Sequence, residues 1–148
     1  MKKDLTIHQV LATSYITYFL ASMVGLLVDL LISAPFEVPY AHTAGIICFI
    51  VGPLIILWAQ ATSWKFLRDS AVGMYFKYGP YRFVRNPTHV GLLILVTGYT
   101  LVSGSLIFFG MTLIGFLISN IFFTKYERLN EHTYGEHYRA YRSHTPRI

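Results

Sequence analysis

The stretch HVGLLILVTGYTLVSGSLIFFGMTLIGFLISNIFF, residues 89–123, contains no Asp, Glu, Lys or Arg. About 20 apolar residues in a helix span the hydrocarbon core of a bilayer. This run is too long for one crossing and suits two. Ser103-Gly104-Ser105 lies near its middle and carries turn chemistry. The stretch therefore predicts a helical hairpin, with one arm near residues 88–102 and the other near 106–123. Gly91 and Gly98, one heptad apart, predict a close-packing seam on the first arm.

Two further lipid-length runs lie upstream, at residues 10–32 and 42–64. The first carries Asp29 near its end, an acid whose position favours a structural or interfacial role over ion handling. The second contains Gly45, Gly52 and Pro53, which membrane helices tolerate when neighbours satisfy the freed backbone groups. Residues 33–41, with Pro35 and Pro39, read as a short external loop. Residues 65–87 form a basic, aromatic connector. Residues 125–148 form a polar tail rich in Tyr and Arg, with one or two interfacial helices bent at Gly135.

Composition agrees. Hydrophobic residues make up 54 % of the 148 and charged residues 13 %, about half the usual share for a soluble domain. The fold class expected is all-α: an integral membrane protein of about four transmembrane helices, the last two a hairpin, with a connector and a C-terminal interfacial helix. It forms a single domain over 1–148, with two N-terminal helices in 1–64 and the functional part in 65–148. The apolar run after Met1-Lys2-Lys3 has no small-residue cleavage site and reads as a retained helix. The lone Cys48 supports neither a disulfide nor a cysteine metal cluster.

All 12 basic residues fall in the N-terminus, the connector and the tail. The positive-inside rule assigns those three segments, hence both termini, to the cytoplasm. Basic groups set between lipid-length apolar runs speak against nucleic acid as a partner.

The chemistry gathers in two blocks. In Gly79-Pro80-Tyr81-Arg82-Phe83-Val84-Arg85-Asn86-Pro87-Thr88-His89-Val90-Gly91, Asn86 suits an N-cap and Pro87 a first helical position. A helix starting there aims its first N–H groups and dipole at the interface, a site for a carboxylate or phosphate, with Arg85 beside it. In the second block, Glu127 follows the hairpin directly. If the hairpin folds back on itself, Glu127 comes close to His89. An anion-binding helix start beside a carboxylate suits a zwitterionic ligand, and Tyr75, Phe76 and Tyr81 can cover an aromatic base or a sulfonium.

The first block resembles the isoprenylcysteine carboxyl methyltransferase family of membrane methyltransferases, related to the phospholipid N-methyltransferases. Glu127, Tyr134-Gly135-x-x-Tyr138-x-x-Tyr141 and Thr145-Pro146-Arg147 resemble that family's second block in order and spacing. The resemblance implies S-adenosylmethionine as methyl donor. Carried over by position, it implies a cofactor pocket of Met74, Tyr75, Phe76, Tyr81, Arg85, Asn86, Pro87, Thr88, His89 and Glu127. His89, Glu127 and Arg85 are the candidates for catalysis, and no metal is expected. Asn86 stands at the family's common histidine, His89 at its common tyrosine, and Tyr126 at the first acid of its usual pair.

The function expected is methyl transfer in the membrane to a lipophilic or small acceptor: a prenylcysteine carboxylate, a phospholipid amine or a thiol. Two alternatives belong to other classes. One is an NADPH-dependent protein like the sterol reductases, which carry a similar helical motif but are much longer. The other is a non-enzymatic helical scaffold or ion-handling protein built around Asp29.

Overall fold

The computed structural model describes residues 7–32, 34–68 and 78–146. They form α1 (Ile7–Leu31), α2 (Ala41–Arg68), a 3-10 turn (Gly79–Arg82), α3 (Pro87–Ser103) and α4 (Leu106–His144). The all-α reading holds for these residues, whose one extended pairing is an isolated bridge between Pro35 and Ser105.

Two boundaries differ from the sequence reading. α2 runs a turn past residue 64, to Arg68. α4 does not end near Phe123 ahead of a separate interfacial helix, because residues 124–134 hold no Gly or Pro to stop it. It continues to Gly135, where φ is 57° and ψ −131°. That backbone is open only to glycine at little cost. A Cβ there would meet nothing within 4 Å, so conformation rather than space requires the glycine.

The hairpin of α3 and α4 exists in the chain, but its arms do not pack chiefly on each other. α3 lies along α2, and α4 lies along α1. The reason is the spacing of small residues. Gly45 and Gly52 on α2 oppose Gly98 and Gly91 on α3. A Cβ on Gly52 would stand 2.7 Å from the Gly91 carbonyl oxygen, and one on Gly98 would stand 2.9 Å from that of Gly45. The expected seam at Gly91 and Gly98 therefore finds its partner on α2. Gly25 and Gly115 bring α1 and α4 together, against Met111 and Phe108 on one side and Ala21 and Tyr18 on the other. Between α3 and α4 the spacers are rings: Tyr99 on Phe108, and His89 on Phe116 and Phe123.

The surface is apolar and the interior polar. Leu27, Leu31, Leu54, Leu57, Leu117 and Ile121 are each more than half exposed, whereas His89, Thr100, Ser119, Glu127 and Asn130 are buried. That inversion suits a protein solvated by lipid, where helix association relies on close packing and internal hydrogen bonds. Ala41–Lys65 and α4 are long and apolar enough to cross a membrane; Tyr15–Leu31 and α3 are apolar but shorter.

At the end away from the connector, the Ser105 hydroxyl donates to Asp29 Oδ1 (2.6 Å) and accepts from the Phe108 N–H (3.1 Å), capping α4. The Phe36 N–H donates to the Gly104 carbonyl and the Leu106 N–H to the Ala34 carbonyl, tying the loop between α1 and α2 to the α3–α4 turn. Asp29 thus has a structural task.

Candidate cofactor and active site

The first block folds into the 3-10 turn and a short extended lead into α3. The turn rests on the last turns of α2, with Gly79 against Thr62 and the Tyr81 hydroxyl between the Ser63 and Thr88 side chains. The tail pins it from the other side. The Tyr141 hydroxyl donates to the Tyr81 carbonyl oxygen (2.6 Å), and the Arg85 N–H donates to the Pro146 carbonyl (3.0 Å). The kink at Gly135 turns the tail back to make both contacts, and it seats Tyr138 2 % exposed. The spacing of Tyr138, Tyr141 and Pro146 in the second block therefore has a structural cause.

Asn86 occupies the N-cap position and Pro87 the first helical one, as expected, but the Asn86 side chain makes no capping bond. It is buried and lines a cleft with Tyr15, Tyr81, Arg85, Pro87, Thr88, His89, Phe123 and Tyr126. The enclosed part of the cleft is small, about 30 Å³, well below the roughly 300 Å³ at which small-molecule sites begin. Met74, Tyr75 and Phe76 lie outside the described residues.

Beside the cleft, Arg85 Nη1 meets Glu127 Oε1 at 2.7 Å, with the two side chains 13 % and 7 % exposed. The opening of α3 and the acid beyond the membrane run of α4 do converge. Glu127 does so as the partner of Arg85, so neither group stands as an isolated charge. Arg85 Nε is a buried donor with no hydrogen-bond partner among the described residues.

His89 is 1 % exposed. Its Nε2 lies 3.4 Å from the Tyr18 hydroxyl of α1. Phe116 stacks against the ring at 5.7 Å between centroids, and Phe123 meets it edge-on at 4.3 Å. Tyr15 and Tyr18 were not among the residues expected from sequence. They sit three apart, one helical turn, on a helix that otherwise reads as lipid-facing; that pair of tyrosines was the available signal.

Burial raises the Tyr81 hydroxyl pKa above its ordinary value, offset in part by hydrogen bonds with Ser63 and Thr88. Burial likewise raises Tyr138, with Asn130 hydrogen bonding opposing it and the Glu127 charge adding to it. Both hydroxyls stay protonated at neutral pH.

In chemical character, though not in enclosed volume, these residues suit S-adenosylmethionine. The rings of Tyr81, Phe123 and Tyr126 suit a sulfonium or a base. The start of α3, with N–H groups that have no partner inside the helix, and the buried Arg85 Nε suit a carboxylate.

Residues 40–137 match the model of the phospholipid methyltransferase family, and the chain belongs to that family. Membership makes methyl transfer its class of activity and the membrane its setting. The matched span takes in α2, the 3-10 turn, α3 and most of α4, and leaves α1 outside. No curated protein and no solved structure matches the chain.

Proposed function

We propose that this protein is an S-adenosylmethionine-dependent methyltransferase that crosses the membrane four times, keeps both termini in the cytoplasm and opens its cleft on that side. The observation that carries this reading is the Arg85–Glu127 pair beside the opening turn of α3, whose Arg85 lines one cleft with Asn86, Thr88 and His89. The placement of basic residues supports the orientation. The length of α3, 17 residues or roughly 25 Å of helix, is compatible with a short crossing.

When bound, the cofactor supplies a methyl group on a positively charged sulfur. The chain's own residues bind, align and exclude water. The start of α3 and Arg85 Nε hold the methionine carboxylate. Glu127, already fixed by Arg85, faces the ammonium. Tyr81 and its neighbouring rings pack on the adenine or the sulfonium. Pro87 and Asn86 shape the entry to α3, and the tail holds the whole lead in place through Tyr141 and Pro146. Methyl transfer is an in-line displacement and depends on such alignment more than on acid–base groups. The acceptor is lipophilic or small and arrives from the bilayer, whose apolar contacts the helices already make. Both acids have defined partners, and Asp29 caps α4 through Ser105, which leaves the ion-handling alternative without a free intramembrane acid at that position.

The test is binding of S-adenosylhomocysteine to the purified protein in detergent. Asn86→Ala and Glu127→Gln should each lose it while keeping a cooperative melt. Undetectable binding by the intact protein, or unchanged affinity in both folded variants, overturns the assignment.

A further inference from the structure

The donor-binding residues named above lie within the span shared with the family; α1 lies outside it, yet it reaches the cleft twice. Tyr15 lines the cleft and approaches Thr88 with its hydroxyl. Tyr18 meets His89. We infer that α1 builds the acceptor side of the cleft, and that Tyr18 positions His89 there to take a proton from the acceptor. This rests on the methyltransferase reading above.

The imidazole is held from three directions: Phe116 on its face, Phe123 at its edge and the Tyr18 hydroxyl at Nε2. A ring clamped by three neighbours keeps one orientation, as a proton acceptor requires. The titratable and charged groups around it are Tyr15 and Tyr18 on α1, Tyr81 and Arg85 in the lead to α3, and Tyr126 and Glu127 on α4. Arg85 and Glu127 neutralise each other, and tyrosines ordinarily ionise near pH 10. Among these groups the imidazole is the one whose ring nitrogens can take up and release a proton without a change of position.

The step balances simply. A lone pair on the acceptor's attacking atom forms the bond to the methyl carbon. The carbon–sulfur bond breaks with its electron pair going to sulfur, which becomes a neutral thioether. The acceptor's proton passes to the His89 imidazole and then to solvent. A base is needed when the acceptor must give up a proton, either to expose that lone pair, as a protonated amine must, or to reach its reactive anion, as a thiol does; a carboxylate needs none.

The experiment uses the full chain in detergent, tritiated S-adenosylmethionine, and a total membrane lipid extract as the acceptor probe. His89→Gln should lose about 100-fold or more in methyl incorporation, the size of one proton-transfer group, and keep its affinity for S-adenosylhomocysteine. Incorporation by the wild type should rise with pH through one ionisation. Its midpoint should match that of the His89 imidazole resonance in labelled protein, assigned by its absence in His89→Gln. Tyr18→Phe should move both midpoints together. A merely structural contact would lower the melting temperature and leave the pH profile in place. Wild-type incorporation in His89→Gln overturns the inference, as does a loss confined to donor affinity. If the wild type binds donor but modifies nothing in the extract, the resonance decides: a titration unmoved by Tyr18→Phe overturns it. Failure of the wild type to bind S-adenosylhomocysteine removes the methyltransferase reading itself, a result distinct from all of these.

Discussion

The two ends of the bundle each engage an acid, and the two acids do different work. At one end Asp29 accepts from a neutral hydroxyl, Ser105, which in turn caps α4; the result is a tied-off turn. At the other end Glu127 faces a guanidinium, and the pair borders a cleft lined by rings and a helix start. A neutral partner lets an acid serve as a strut. A charged partner inside a low-dielectric rim produces a site that recognises charge, at a desolvation cost that only complete pairing offsets. The difference separates a structural end from a functional one within a single small bundle.

That contrast can be broken most forcefully at Glu127. Glu127→Ala leaves Arg85 buried without its counter-charge and should cost about 4 kcal/mol, within the range for severed buried pairs. The double change Arg85→Met with Glu127→Leu should recover most of that stability in a denaturant melt without recovering donor binding. Equal melts for the single and double variants would remove the ion pair from the account. Next in size is the seam between the ends. Gly52→Val drives a branched side chain toward the Gly91 carbonyl, 2.7 Å from the position of its first carbon. Overpacking of this kind costs about 2 to 3 kcal/mol, read as a lowered melting temperature in detergent, and an unchanged melt would mean that the helices separate freely there. Smallest is the strut. Ser105→Ala should cost about 1 kcal/mol, the worth of an N-cap, and leave S-adenosylhomocysteine affinity intact. A drop in that affinity would mean that the two ends are coupled rather than separate.

Much of the architecture was legible before any coordinates, for physical reasons. Apolar runs of lipid length, with Asp29 their one charged residue, located the helices, and Ser103-Gly104-Ser105 located the turn. The Asn86-Pro87 step gave the start of α3 to the residue. The convergence of that start with Glu127 followed from antiparallel arms. Four features were not legible. Which helix packs on which depends on matching small residues across two helices, and Gly91 and Gly98 do not reveal that Gly45 and Gly52, rather than anything on α4, oppose them. The length of α4 was hidden because residues 124–134 are polar yet hold no Gly or Pro, so a change of polarity looked like a change of structure. The contribution of α1 was hidden because Tyr15 and Tyr18 belong to no motif; only the fold reveals that their face meets His89. The pairing of Arg85 with Glu127 was missed for a related reason: each had been given a separate ligand charge to hold, and burial favours their mutual neutralisation when both face the same small volume.

The glycine contacts of α2 and α3 carry a consequence for distance. Gly45 to Gly52 and Gly98 to Gly91 are equal steps taken in opposite directions, so the two helices engage like the scales of a vernier, at one setting. The same setting determines where the last turns of α2 stop relative to the first turn of α3, and so brings Thr62 and Ser63 level with Gly79 and Tyr81. A slip of one helical turn in the middle of the bundle, far from any polar group, would carry the rim of the cleft about 5 Å out of alignment. The chemistry at the rim is calibrated by atoms that have no chemistry of their own.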